Sequence, residues 1–311
     1  MKLPIVLLLS LLTPFAFAAG EKIAVIPKGT THSFWKSVEA GARQAGAEFD
    51  VEIIWKGPLK EDDRAQQIGV VQQFVGSGVD AIVLAPLDDT ALRTPVRSAT
   101  ERGIPVVIFD SALKGEVGKD FLSYVATNNH RGGEIGGEEL SRLLGGKGKV
   151  VLLRTMEGSA STTEREAGFL SVMRKHPGIT VTVDNRFGGP TISSAQDASM
   201  NLIDRIREAD GIFCPNESTT HGMLLALRQT RLAGKKTFVG FDASPFLLGA
   251  LEKGEVLALV AQNPTRMGYL SVATAVKHLR GESIEPMIDT GCLLVTKENR
   301  HTPEVEAVVG K

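Results

Sequence analysis

Short runs of consecutive apolar residues recur along this chain, and a stretch with helical patterning separates each from the next. Lys22 to Ile26, Val51 to Trp55, Ala81 to Leu84 and Val106 to Phe109 read as strands. Ser33 to Ala47, Asp62 to Phe74 and Asp89 to Arg102 read as the helices between them. Runs that are apolar throughout suit strands buried on both faces of a parallel sheet covered by helices. After a break near Ala126-Thr127-Asn128 the pattern restarts, with strands at Val150 to Leu153, Ile179 to Val183, Gly211 to Phe213 and Thr237 to Gly240. Arg131 to Leu144, Thr163 to Arg174, Ser194 to Arg207 and Thr219 to Arg228 form the second set of helices. Turn residues such as Gly76-Ser77-Gly78, Gly145-Gly146 and Pro177-Gly178 fall between elements. The expected fold is α/β, with two doubly wound parallel-sheet lobes.

Met1 and Lys2 lead an apolar run from Leu3 to Phe17 that closes on Ala16-Phe17-Ala18. This pattern is that of a secretory leader, residues 1–18, too short for a comfortable membrane span and cut after Ala18. No Cys follows the cut to take a lipid, so the expected product is a soluble periplasmic protein. With 42% apolar residues it can fill two cores. The net charge of −1 becomes −2 once Lys2 leaves, and no basic cluster stands out, which argues against nucleic acid as a partner. For Cys214 and Cys292 two readings stand, a bridge in an oxidising compartment or two separate thiols among apolar neighbours. None of the six histidines has metal-ligand spacing, so no metal and no cofactor is expected.

Open parallel sheets present ligand sites beyond the carboxyl ends of their strands. There the chain places Lys28, His32, Phe34 and Trp35 after the first strand, and Asp110 and Ser111 after Phe109. Asn216 and Glu217 follow Phe213, Asp242 follows Phe241, Gln262 ends a strand at Leu257 to Ala261, and Arg165 lies beyond Leu153. Aromatic faces mixed with amides, carboxylates and a guanidinium suit a sugar or polyol, whose C–H faces stack while paired hydroxyls donate and accept. Other readings apply to the same residues. Asp110, Asp242 and Asn216 have the alternative of capping helices, Arg165 of a surface ion pair, and one of Phe34 and Trp35 of ordinary core. Trp55 is divided between core and pocket.

Five segments in this order and spacing resemble the periplasmic sugar-binding proteins of ABC importers. They belong to the ribose-binding-like group, whose domains are shared with LacI-type repressors. The segments are His32-Ser33-Phe34-Trp35-Lys36, Pro105 to Asp110, Thr163 to Phe169, Val239-Gly240-Phe241-Asp242 and Ala261-Gln262-Asn263-Pro264. The resemblance implies that Phe34 and Trp35 lie near the ligand ring and that Asp110 and Arg165 grip its hydroxyls. Asn216, Asp242, Gln262 and His32 would supply further polar contacts, with Phe187 capping the ring from the second lobe. It also implies three crossings between lobes. These lie near Thr127, near Asn263 (before a helix over Arg266 to Leu279) and near Asp289-Thr290-Gly291, and together they form a three-strand hinge. Lobe 1 then spans 20–127 plus 263–290, and lobe 2 spans 128–262 plus 291–311. Ala85 and Ser111 stand where the ribose-binding pattern has an amide and an arginine. The ligand's hydroxyl pattern then differs, or Lys28 and Trp55 close the gap.

The implied partners are a neutral monosaccharide or short polyol, an ABC permease in the inner membrane and, compatibly with transport, a chemoreceptor; a monomer is expected. The rival class is an exported sugar-modifying enzyme using Asp110 and Asp242 as acid and base. Against it, the chain has no G-x-S-x-G elbow, dinucleotide turn or metal cluster. A repressor of the same fold needs a DNA-binding module where the leader stands.

Overall fold

A computed structural model describes residues 20–310, so the leader over residues 1–18 lies outside the described residues. In chain order the elements begin β1 (Lys22–Ile26), α1 (Ser33–Phe49), β2 (Glu52–Trp55), α2 (Arg64–Ser77), β3 (Ala81–Leu84) and α3 (Arg93–Glu101). They continue β4 (Val106–Phe109), β5 (Ser123–Ala126), α4 (Asn129–Leu143), β6 (Lys147–Arg154), α5 (Ala160–Met173) and β7 (Gly178–Phe187). Next come α6 (Ile192–Asn201), α7 (Ile203–Glu208), β8 (Gly211–Phe213), α8 (Glu217–Gln229), β9 (Thr237–Phe241) and α9 (Pro245–Glu252). The chain closes with β10 (Ala258–Gln262), α10 (Pro264–Leu279), β11 (Met287–Asp289), β12 (Cys292–Thr296) and α11 (Pro303–Val309).

Two six-stranded sheets result, ordered β11-β5-β4-β3-β1-β2 and β12-β10-β9-β8-β6-β7. All pairings are parallel except β12, which runs antiparallel to β10. The wholly buried β3 and β4 carry no polar side chain, as strands covered on both faces require. Each sheet has an apolar cluster on each face: the first around Val25, Trp35 and Phe109 and around Ile26, Phe74 and Ile108, the second around Leu153, Ile212 and Phe238 and around Phe169, Phe213 and Phe241.

The chain passes between the sheets after β5, after β10 and between β11 and β12. These segments are tied side by side. Thr127 Oγ1 donates to Gln262 Oε1 at 2.9 Å, and Asp289 Oδ1 accepts from the amides of Asn128 at 3.2 Å and Gly291 at 2.8 Å.

Two helix pairs flank the sheets at matching places, α1 with α10 and α4 with α5. Both depend on glycine. A Cβ on Gly41 or Gly268 would overlap the backbone of the facing helix at Thr265 or Val38, and one on Gly133 or Gly168 would overlap the carbonyl of Arg165 or His130. Small residues at the crossing let the backbones touch.

Several elements differ from the sequence reading. The helix expected over Ser194 to Arg207 is two helices, broken at Leu202 where φ is −102° and ψ is 7°. Strand β5, which ends at the break near Ala126, is absent from the sequence reading because its polar Ser123 and Tyr124 interrupt the apolar run. Strand β11, with Met287 exposed, and the short helices α9 and α11 carry no strong periodicity.

Candidate functional site

The carboxyl ends of both sheets face one narrow cavity with an open mouth. Lobe 1 lines it with Lys28, His32, Phe34, Trp35, Glu61 and Asp110, and lobe 2 with Ser161, Thr162, Arg165, Asn216, Glu217, Asp242 and Gln262. Nine of the residues expected to contact the ligand therefore meet here: Lys28, His32, Phe34, Trp35, Asp110, Arg165, Asn216, Asp242 and Gln262; Glu217, noted beside Asn216 at its strand end, joins them.

Asp110 and Asp242 terminate β4 and β9 with positive φ, 59° and 69°. Aspartate tolerates this left-handed region better than most residues. Neither caps the helix that follows it. Asp110 Oδ2 pairs with Lys28 Nζ at 3.1 Å, both side chains being 4% exposed. Asp242 accepts from Gln262 Nε2 at 2.8 Å and from the Glu217 amide at 2.7 Å. Burial pushes the Asp242 carboxyl up to about 6, against the pull of Arg165. Lys28 also reaches across the cleft to Ser161 Oγ at 2.9 Å.

Arg165 is buried inside α5 and is no surface ion pair. Its Nε donates to Asn129 Oδ1 at 2.8 Å, its Nη1 to the Pro215 carbonyl at 3.0 Å, and its guanidinium lies 4.1 Å from the centre of the Phe241 ring. These contacts use two of its five N–H groups and leave a rigid fork for a ligand. Asn216 does cap a helix: its Oδ1 accepts from Thr219 N at 3.1 Å at the start of α8, while its side chain also lines the cavity.

On the other wall, Trp35 is 2% exposed and packs edge-on against Phe109, with centroids 6.2 Å apart. Phe34 is half-buried and edge-on to Trp35 at 4.9 Å. The two aromatics divide between core and rim. Trp35 Nε1 donates to Glu61 Oε1 at 2.6 Å, and His32 Nδ1 lies 3.1 Å from the same oxygen. Burial disfavours the His32 charge, but Glu61 outweighs it and raises the imidazole to about 9. The same pairing, opposed by burial, lowers Glu61 to about 2.

Sequence reasoning missed the parts played by Glu61 and Glu217. Glu61 sits in the loop between β2 and α2, among the charges of Lys60-Glu61-Asp62-Asp63, just before the helix read from Asp62, and nothing local sets it apart. Glu217 carries the local signal of a first-turn acid of α8.

Two singled-out residues lie elsewhere. Ser111 is fully buried and does not line the cavity; its Oγ accepts from the Ser161 amide at 3.1 Å, joining the lobes. Phe187, 37% exposed, ends the edge strand β7 near Arg154 and lines a separate surface depression with Arg64 and Glu157. The Gly188-Gly189-Pro190 segment that follows it leads into α6, which Thr191 caps. Ala85 is buried away from the cavity, and the amide nearby is Gln67, which binds the carbonyls of Pro27 and Ala85 and the amide of Leu87. Trp55 packs against the lobe 1 core, so of the two gap-closing candidates only Lys28 reaches the site. Cys214 and Cys292 are separate thiols. Among the described residues no group of three or more His, Cys, Asp or Glu is placed to hold a metal ion, and no helix is long and apolar enough to cross a membrane.

Two α/β lobes crossed three times by the chain, with a polar cavity between their strand ends, define the class of periplasmic solute-binding proteins. The Periplasmic binding protein domain family matches residues 23–283, and the chain belongs to that family. Within it the chain is a sugar-binding protein of the ABC-importer type. It is 27% identical over 283 residues to the ribose import binding protein RbsB of Escherichia coli, covering 90% of this chain and 92% of that one. A carbohydrate transporter solute-binding protein from Agrobacterium radiobacter, solved with D-arabinose, superposes with a TM-score of 0.89 at 32% identity, covering 94% and 99% of the two chains. One from Agrobacterium vitis with bound D-fucose gives 0.89 at 33%, covering 93% and 99%.

Proposed function

We propose that this protein binds a single neutral monosaccharide, or a polyol of similar size, between its lobes and delivers it to the permease of an ABC importer. The observation that carries the reading is the two-sided ring of Asp110, Arg165, Asn216, Asp242 and Gln262 set against Phe34 and Trp35 around one small cavity. Three basic groups, Lys28, His32 and Arg165, stand among four acids, Glu61, Asp110, Glu217 and Asp242, so the charges nearly cancel and do not call for a charged ligand. Relatives solved with D-arabinose and D-fucose, and one named for ribose, support a ligand of monosaccharide size. Residues 1–18 act as the export signal, lobe boundaries follow the three crossings, and the protein works as a monomer that also suits presentation to a chemoreceptor.

Thermal-shift titration against pentoses, hexoses, deoxysugars and polyols tests the ligand class. A ligand that binds only the folded state raises the midpoint in proportion to ln(1 + [L]/Kd). One aldose or polyol is expected to stabilise strongly while its stereoisomers do not, because the wrong isomer leaves buried donors unpaired. A panel without a single shift removes the reading, and turnover of the bound sugar replaces it with the enzyme.

A further inference from the structure

Helix α1 lacks a side-chain cap of its own. Helices α2, α4, α8 and α10 each begin on an Asp or Asn, namely Asp63, Asn128, Asn216 and Asn263, whose side chain accepts a first-turn amide. At the same position of α1, His32 makes no such bond, and its first turn holds no acid. The partner comes from the opposite lobe. Glu217 Oε1 accepts from Ser33 N at 3.1 Å and Oε2 from Phe34 N at 2.9 Å. The carboxylate is buried, and the Asp242 carboxylate holds the Glu217 amide at 2.7 Å, fixing the acid's base.

A carboxylate on first-turn amides combines charge-assisted hydrogen bonds with a favourable helix dipole. Both groups belong to the protein, one from each lobe, so the bond exists only with the lobes together and involves no ligand atom. We propose that Glu217 is a positioning residue that sets affinity by latching the lobes, capping α1 across the cleft and raising the closed population. A latch of this kind changes the affinity for every sugar by one common factor, because it biases closure and not hydroxyl recognition. The affinity effect rests on the solute-binding reading; the closure effect does not.

Two substitutions approach the bond from opposite lobes. Glu217→Gln keeps the shape and removes the charge. Ser33→Pro deletes one donor at the first helical position, where proline is tolerated, and His32 with ψ of 151° already suits a following proline. In sugar-free protein, small-angle scattering is expected to give a larger radius of gyration for each variant than for the unsubstituted chain. Dissociation constants for whichever of D-ribose, D-arabinose and D-fucose bind are expected to rise by about tenfold, equally for each. The double variant should add little to either single change, since both break one interaction. An unchanged radius in the variant or variants that keep the unsubstituted circular dichroism spectrum overturns the latch. A loss that differs from sugar to sugar also overturns it, by assigning Glu217 to a ligand hydroxyl. Absence of binding by all three sugars bears on the solute-binding reading and leaves the scattering result to decide the latch.

Discussion

The charges in the cleft are held mainly by one another. Lys28 and Asp110 form a pair that water barely reaches, and removing either partner strands the other in a site where solvation no longer compensates. Asp110→Asn is therefore preferred to alanine as a test. It should abolish most of the ligand-induced thermal shift, a loss of about 2–5 kcal/mol in binding, with Arg165→Ala behaving alike; binding at the unsubstituted level clears the residue concerned. The pH dependence follows from the same burial. His32 keeps its proton to about pH 9 while an unfolded histidine releases it near 6.5, and burial holds Asp242 and Glu166 up to about 6 and 7. Between about pH 5 and 9 the folded chain binds more protons than the unfolded one, so stability falls as pH rises. Glu61 has the opposite sign. Lowered to about 2, it contributes fully above its ordinary value near 4.5 and loses that contribution only on acidification. Melting midpoints should decline from about pH 5 to 9, and His32→Gln should remove most of the decline above about pH 8, where Glu166 has already ionised; a flat profile contradicts the assignment. Much of this site was legible because strand ends are easily located in an α/β sequence. Glu61 was not, because its bond to Trp35 spans 26 residues, and Glu217, although placed at a strand end, gave no sign of its bond to Ser33, 184 residues away; both contacts exist only after folding.

Among the elements, β1, β3 and β4 could be read residue by residue, since each is apolar and fully enclosed after its first position or throughout. Strand β5 escaped because its polar Ser123 and Tyr124 break the apolar run although it pairs on both sides, and β11 because it is a short, partly exposed strand at the sheet edge. The glycine crossings are a feature of the same kind, visible in sequence only as small residues. The crossing of α4 and α5 couples packing directly to the site, since the carbonyl that a side chain on Gly133 would strike belongs to Arg165. Gly133→Ala should cost about 1–3 kcal/mol through overpacking and should also weaken sugar binding by displacing the guanidinium. Gly268→Ala, at the matching crossing in lobe 1, should show the stability loss with a smaller effect on affinity. Calorimetric melting together with ligand titration of both variants separates these outcomes, and equal affinity losses would break the link between crossing and fork.

At the scale of the whole molecule the cleft is shared between two bodies joined by three short segments. Saturating ligand should draw the lobes together and reduce the radius of gyration in small-angle scattering, because contacts from both sides become available at once; an unchanged radius counts against hinge closure. The three crossings also bear on how the chain is made. Helix α1 emerges early in synthesis, yet the helix that covers its glycine face is α10, completed at Leu279, and the first sheet gains β11 only at Met287–Asp289. The second sheet waits for β12, which ends at Thr296. Because contacts between distant segments form slowly, neither body can be finished while the ribosome still holds the last few dozen residues. A chain built in this order remains unfinished for nearly all of its synthesis, so both bodies reach completion together, at the very end.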